Sequence, residues 1–239
     1  VDNWFEQQRP QINGKTINLD AGEWSLSAAV AKSGDQVAIA TNHNLRLYDR
    51  SARERWRTPA PGTPWQVNLS DDGRWLVAAF SDGTLRWYRL QDGSEQLAVF
   101  PHPDGRRWVA WTPAGYFAAS PGGEDLVGWQ LDRGDKQAAD FYPASRFRSE
   151  YYRPDLISEV VNKGSVEAAL ATLTREGGRT EAKAPIPERL PPTVRIVGPE
   201  DMSSISGNKV IIRLAVRSTA DPPANKLLAR VNGQLVQLP

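Results

Sequence analysis

The stretch Trp108-Val-Ala-Trp-Thr-Pro-Ala-Gly-Tyr-Phe-Ala-Ala-Ser-Pro-Gly-Gly-Glu-Asp-Leu-Val-Gly-Trp-Gln-Leu131 reads as three short apolar strands separated by two Gly/Pro turns. Two earlier segments follow the same plan. Leu26–Ala31 precedes Gln36–Thr41 and Leu45–Asp49, and Trp65–Ser70 precedes Trp75–Phe80 and Thr84–Leu90. Aligned on the first turn, Gly34, Gly73 and Gly115 correspond. Aligned on the third strand, Leu45, Leu85 and Leu126 correspond, as do Tyr48, Tyr88 and Trp129.

The repeat recurs at about 40 residues, the length of a propeller blade. Each of the first two repeats has an outer strand, Glu54–Thr58 and Glu95–Phe100, and the third has a weaker one at Gln137–Phe141. The Asp71-Asp-Gly73 and Ser81-Asp-Gly83 turns carry the Asp-Gly hairpin signal, which marks Gly73 and Gly83 with Gly34 and Gly115 as blade turns. Leu76-Val-Ala-Ala-Phe80 is nearly continuous in apolar residues, as in strands covered on both faces. Phe80, Trp87, Tyr48, Tyr88, Trp129, Leu45, Leu85 and Leu126 are thus the expected blade core. Residues 1–20 read as the last two strands of a preceding blade, with Trp4 in the aromatic position, giving about three and a half blades in all.

The order of apolar strand, Gly turn, apolar strand, Asp-Gly turn and a third strand ending in an aromatic is similar to WD40-type repeats. Only Tyr48-Asp49 approaches the Trp-Asp dipeptide, and no Gly-His pair precedes a blade. More specifically, Arg107–Trp129, with Phe141-Tyr-Pro-Ala-Ser-Arg-Phe-Arg148 and Tyr152-Arg-Pro-Asp155, resembles a bacterial family that joins such a propeller to a caspase-like peptidase domain through an Ig-like insert. The resemblance spans roughly Trp24 to Glu200. It implies the non-catalytic half of such a protein, because a caspase-like domain works through a His/Cys dyad and this chain has no Cys.

Composition agrees with a binding role. A formal net charge of +1, from 29 Lys+Arg against 28 Asp+Glu, supplies no field for a phosphate backbone. No apolar run approaches a membrane span, and Val1–Asp20 lacks the pattern of a signal peptide. Cytoplasm is the default compartment, with periplasm as the alternative. All nine Trp lie between Trp4 and Trp129, and nothing after Tyr152 is aromatic, so two regions with different cores are expected.

Residues 141–153 interleave Phe141, Tyr142, Phe147, Tyr151 and Tyr152 with Arg146, Arg148 and Arg153. Such a strip can stack single-stranded bases, but the charge surplus that this needs is small. A strap packed on the propeller, with its arginines meeting Asp140, Glu150 and Asp155, is the preferred reading, and Phe141, Tyr142, Arg146, Phe147, Arg148 and Tyr152 are its candidate partner residues. Pro154 opens one short helix and Ser165 caps a second. A helix-turn-helix is disfavoured because the second helix is net acidic. Arg179–Pro192 is a Pro-rich linker. From Thr193 the pattern alternates with period two, and Asn232-Gly233 marks a hairpin. Pro192–Asp201 looks like the opening of an Ig-like sandwich, with about four of the roughly seven strands such a fold needs.

The expected organisation is therefore mainly β: a partial propeller over 1–141, a strap with two helices over 142–178, a linker over 179–192 and a partial Ig-like domain over 193–239. The chain stops directly after a strand-like run and reads as a fragment.

Catalytic chemistry finds little support. His43 lies between two Asn and His102 between two Pro, both turn positions, and no G-x-S-x-G elbow is present. Two His without Cys argue against zinc, and Glu124-Asp125 lacks the distributed oxygen ligands of a calcium loop. No Gly-rich loop precedes a helix, so no cofactor is expected. The function expected is a protein-interaction scaffold whose partner is another protein or the rest of its parent chain; either two copies pair through open blade edges or a longer parent supplies the missing blades. The alternative is a hydrolase using His102 or Glu124.

Overall fold

Alternating apolar residues and Asp-Gly turns produce hairpins wherever both occur together. In the computed structural model, residues 1–131, 140–176, 193–198, 211–217, 229–231 and 234–236 are described. The chain divides into two compact units, Val1–Glu181 and Ala182–Pro239.

The first unit begins with a short pair, β1 (Gln11–Ile12) and β2 (Lys15–Thr16). A four-stranded antiparallel sheet follows in sequential order: β3 (Ser25–Val30), β4 (Gln36–Thr41), β5 (Asn44–Asp49) and β6 (Glu54–Pro59). These are the four strands of the first repeat. The second sheet starts with β7 (Pro64–Leu69), β8 (Trp75–Phe80), β9 (Leu85–Arg89) and β10 (Glu95–Pro101), the four strands of the second repeat. All four named turn glycines have φ between +69° and +88°, a region open to Gly at little cost. In one of these turns Asp82 Oδ1 accepts from the Thr84 amide at 2.9 Å and its hydroxyl at 2.6 Å.

The two sheets stack face to face. Ala38, Ala40, Leu45 and Leu47 of the first meet Val67, Leu69, Leu76, Ala78, Phe80, Tyr88 and Leu90 of the second. Each large side chain so buried contributes about 1.5–3 kcal/mol. The first strands come closest, with the Val67 amide donating to Ser27 Oγ at 3.1 Å. Farther out, the Trp56 indole N–H of β6 donates to the Leu90 carbonyl at 2.8 Å.

Each of the first two repeats carries a polar lock. Leu45-Arg-Leu-Tyr48 and Leu85-Arg-Trp-Tyr88 both place an arginine mid-strand, facing a glutamate on the outer strand. Arg46 donates to Glu54 at 2.7 Å, to Asp20 at 2.8 Å and to Glu23. Arg86 lies 3.2 Å from both Glu95 and Asp82. Tyr48 and Tyr88 reach Glu54 and Glu95 at 3.2 and 3.4 Å. Arg46 is 2% exposed and Glu23 1%, so in the first blade this is a buried ion pair. Burial opposes ionisation of Glu23, but hydrogen bonds from Thr41, Arg46 and Asn44 outweigh it and hold the carboxyl down to about 2. Burial likewise pushes the Tyr48 and Tyr88 phenols up.

The third repeat departs from expectation. Its first two strands form, as β11 (Trp108–Trp111) and β12 (Phe117–Ala119), but they do not open a separate blade. β11 pairs with β10, Ala98 opposite Trp111 and Pro101 opposite Trp108, so the second sheet has six strands. Leu126 lies outside any strand. The third strand starts at Gly128, as β13 (Gly128–Leu131), and pairs only with β14 (Asp140–Pro143). The lock explains the difference. Where the first two repeats have Arg46 and Arg86, the third has Val127, so no arginine at this position ties the strand to an outer glutamate. Residues 137–139 of the expected outer strand lie outside the described residues.

The N-terminal expectation also changes in detail. Trp4 is in no strand; instead Ile12 and Ile17 cover Val37, Ile39 and Tyr48 on the outer face of the first sheet. Among the named core residues, Tyr48, Tyr88, Phe80 and Leu45 are 4% exposed or less. Trp87, Trp129 and Leu126 are half-buried and Leu85 is 36% exposed.

The strap runs through a 3₁₀ turn (Ala144–Phe147), α1 (Arg148–Tyr151), α2 (Pro154–Lys163) and α3 (Val166–Arg175). Gly164 ends α2 in a left-handed conformation and Ser165 caps α3, accepting from the Ala168 amide at 3.1 Å. The helices dock on the second sheet: the buried Gln96 side chain accepts the Val166 amide at 3.1 Å, and Arg74 donates to the Asn162 carbonyl at 2.6 Å.

In the second unit β15 (Thr193–Gly198) pairs with β16 (Arg213–Arg217), and β17 (Ala229–Val231) with β18 (Gln234–Val236), all antiparallel. The Pro-rich linker and the Asn232-Gly233 turn lie outside the described residues.

Candidate partner-binding cleft

A cleft of about 490 Å³ opens where the third repeat fails to close. One wall is the β11–β12 hairpin, with Trp111, Thr112, Pro113, Gly115 and Phe117. The other is the β13–β14 pair, with Val127, Gly128, Trp129, Phe141 and Ala144. Gly115 N–H donates to the Thr112 carbonyl at 2.9 Å in the hairpin turn. Gly128 permits the opposite wall: a Cβ there would lie 2.2 Å from the Tyr142 carbonyl oxygen.

Aromatic packing fixes this wall against the strap. Trp129 meets Phe147 edge-on at 4.8 Å between ring centroids and Tyr151 at 5.6 Å. Tyr151 touches Tyr116 at 5.9 Å, and Tyr152 meets Phe117 edge-on at 5.5 Å. Such pairs are worth about 0.5–1.5 kcal/mol beyond burial. Tyr142 and Phe147 are buried, whereas Phe141, at the mouth, is 58% exposed.

Arg148 donates to Glu124 at 2.6 Å and stacks 3.8 Å above the Tyr152 ring. Arg153 pairs with Asp155 at 2.8 Å, and its amide donates to the Phe117 carbonyl at 2.8 Å, covering the free edge of β12. Ser145 donates to Asp125 at 2.7 Å. Glu124 and Asp125 thus clip the strap in place. Arg146 is exposed.

His102 and Glu124 have separate partner sets. His102 sits in the β10–β11 turn, its Nδ1 accepting from the Asp104 amide at 3.2 Å, with Arg107 at 3.3 Å from Nε2. Neither residue lines the cleft, and no serine or lysine does. Among the described residues no group of three or more His, Cys, Asp or Glu is placed to hold a metal, and no helix is long and apolar enough to cross a membrane. The cleft can therefore desolvate apolar and aromatic groups, and among the described residues that line it none is charged.

Sequence reasoning named Gly115, Trp129 and Phe141 but missed Trp111, Pro113, Val127 and Ala144 as parts of one site. Trp111 was visible as the second indole of Trp108-Val-Ala-Trp111. What joins it to Trp129 is the strand pairing of the third repeat.

No protein-family model matches the chain, and neither does any curated protein. Solved structures do. BamB from Moraxella catarrhalis is 16% identical, with a TM-score of 0.33 over 44% of this chain and 36% of that one. Sqt1 from Saccharomyces cerevisiae is 17% identical, TM-score 0.30, over 34% and 23%. The WD40 repeats of RRP9 are 13% identical, TM-score 0.33, over 40% and 37%. The chain spans between 23% and 37% of the length of these structures. At such scores the blade description stands on the strand registers, which show a mainly β chain with sequential four-stranded repeats and a short helical segment.

Proposed function

We propose that this chain is a non-catalytic protein-interaction scaffold that takes an extended apolar or aromatic segment of a partner protein into the cleft between the β11–β12 hairpin and the β13–β14 pair. The observation that carries this reading is the cleft itself, walled by Trp111, Pro113, Phe117, Val127 and Trp129, with exposed Phe141 at its mouth. Contact surfaces of this kind are enriched in aromatic residues and depleted of charge at their centre. Nucleic acid is a poor fit, since Arg148 and Arg153 are committed to Glu124 and Asp155.

The resemblance carried by Arg107–Trp129 and Phe141–Arg148 adds a finer proposal. The chain is the regulatory or targeting part of a larger bacterial protein whose caspase-like peptidase domain lies outside these residues. On this reading 1–141 is the propeller part, 142–178 the strap, 179–192 a linker and 193–239 the start of an Ig-like domain.

Selection of random displayed peptides on the immobilised chain tests the cleft. Peptides with two or more aromatic or branched apolar residues are enriched, and Phe141→Asp abolishes enrichment while the far-UV circular dichroism is unchanged. Equal enrichment on the variant removes the cleft as the site, and no enrichment on either removes the scaffold reading.

A further inference from the structure

Strand edges decide what the cleft can hold. Among the described residues β13 pairs only with β14, Gly128 opposite Pro143 and Gln130 opposite Phe141. The Ala144 amide donates to the Val127 carbonyl at 2.9 Å, and main-chain bonds of an antiparallel pair recur at every second residue. Val127 and Trp129 therefore turn their main-chain groups to β14, whereas Gly128 and Gln130 turn theirs away. Pro143 fits this parity, since it has no N–H to give Gly128. Gly128 and Gln130 are both exposed, and no described residue bonds to the N–H or C=O of either. Gly128, without a side chain, lines the cleft with its main chain alone. Other edges in this unit are closed or blunted, as exposed edges usually are. Ser25 of β3 exchanges main-chain bonds with Glu6 and Gln7, and β12 is met by the Arg153 amide. The strand β6 carries Glu54, Arg55, Arg57 and Pro59, and the outer edge of β14 has Pro143 and begins at Asp140. The free edge of β13 has neither charge nor proline.

We infer that the partner segment enters the cleft as an extended strand and adds to β13, its main chain bonding to Gly128 and Gln130, with apolar side chains at alternate positions against the aromatic walls. This rests on the cleft being the partner site and fixes the conformation that the partner takes there. The unused N–H and C=O groups of a strand edge match another extended main chain, and β13, at about 3.3 Å per residue, accepts about four residues. A helix has its main-chain groups bonded internally, and a proline-rich segment lacks the N–H donors that the two carbonyls need. A second copy is a poor occupant. Gly128 sits in a cleft whose other wall is the β11–β12 hairpin, so the same edge of a second copy brings its own hairpin and cannot approach.

Calorimetric titration of the chain with the capped peptide Thr-Val-Thr-Phe-Thr-Val tests the inference. The expected result is binding that N-methylation weakens at least about tenfold when placed on one alternate set of amides, Thr or apolar, and not on the other, because only every second amide faces β13. In the protein, Gln130→Pro removes an edge N–H that the hairpin does not use and weakens binding likewise. Gln130→Ala keeps that N–H and leaves binding unchanged, and circular dichroism is unaltered in both variants. Exchange of the Gly128 and Gln130 amides slows at least about tenfold on binding, a readout that needs no variant. Binding that survives both methylations, or that leaves those amides exchanging as before, overturns strand addition and keeps the cleft. So does failure of this peptide on a chain that enriches displayed aromatic peptides. A dimer of the chain that Gln130→Pro dissociates makes a second copy the occupant and overturns the inference as well. If neither this peptide nor any displayed one binds, the scaffold reading falls with it.

Discussion

Arg46→Met in the first blade separates a structural ion pair from an incidental one. Arg46 is 2% exposed and shares its guanidinium among Glu23, Glu54 at 2.7 Å and Asp20 at 2.8 Å. With methionine in its place, Glu23, itself 1% exposed, keeps hydrogen bonds from Thr41 and from Asn44 at 2.6 Å but loses its counter-charge. Removing one partner of a buried pair costs about 3–5 kcal/mol, and for a unit of this size each kcal/mol lowers Tm by about 2–4 °C. A fall of about 10 °C is expected by calorimetry. Replacing both partners, with Glu23→Leu added to Arg46→Met, removes the stranded charge and recovers most of the loss. The pH response sharpens the test. Glu23 is held at about 2 in the folded chain against an ordinary 4.5, so its ionised form stabilises the fold above about pH 4.5, and this contribution is lost as pH falls through about 2. In Arg46→Met burial goes uncompensated by a cation and the carboxyl moves upward, so the variant regains stability as the acid protonates it. The gap between wild type and variant is therefore widest at neutral pH and narrows toward pH 3. A loss under about 1 kcal/mol, a double variant as unstable as the single one, or a gap constant with pH refutes the reasoning.

Two further substitutions probe the joints between elements. Gly93→Ala puts a Cβ 2.6 Å from the Trp56 ring at a φ of +75°, so backbone strain and loss of the Trp56–Leu90 hydrogen bond together cost about 2–3 kcal/mol in urea unfolding; a change below about 0.5 kcal/mol would show that the indole moves freely. Gln96→Leu leaves the buried Val166 amide without its acceptor, which costs about 1–3 kcal/mol and speeds hydrogen exchange in α3, and unchanged exchange there would detach the helices from the sheet.

How much of this was legible depended on whether a signal is local. The strands of the first two repeats could be read because alternation and Asp-Gly turns act within a few residues; Glu54–Pro59 and Glu95–Pro101 fall where the repeat puts them. The third repeat could not be read the same way, because whether β11 opens a new blade or joins β10 is decided by pairing between strands that periodicity treats alike. The lock escaped notice for a related reason. Glu23 and Arg46 are far apart in sequence, and Arg46 looks like an outward-facing residue in an alternating strand. Its trace was the recurrence of Leu-Arg-x-Tyr at 45–48 and 85–88, each followed by a glutamate on the next strand. Leu85 failed for the opposite reason: its residue type matches Leu45, but burial is set by what packs on a face, and Leu85 is 36% exposed where Leu45 is 0%.

Those failures locate the surfaces that matter. A stacked-sheet protein must cover two end faces, and this chain treats its two ends differently. At the first sheet, Ile12 and Ile17 close the face over Val37, Ile39 and Tyr48, so stacking cannot propagate in that direction. At the second sheet the third repeat, with Val127 where the first two have an arginine, extends sideways along β10 instead of covering Leu85 and Trp87. The β13–β14 pair therefore stands apart and leaves an aromatic cleft. Val127 brings no charge to meet an outer glutamate, and Gly128 beside it lies so close to β14 that a Cβ would sit 2.2 Å from the Tyr142 carbonyl oxygen, so this pair is held by backbone proximity where the first two blades are held by ion pairs.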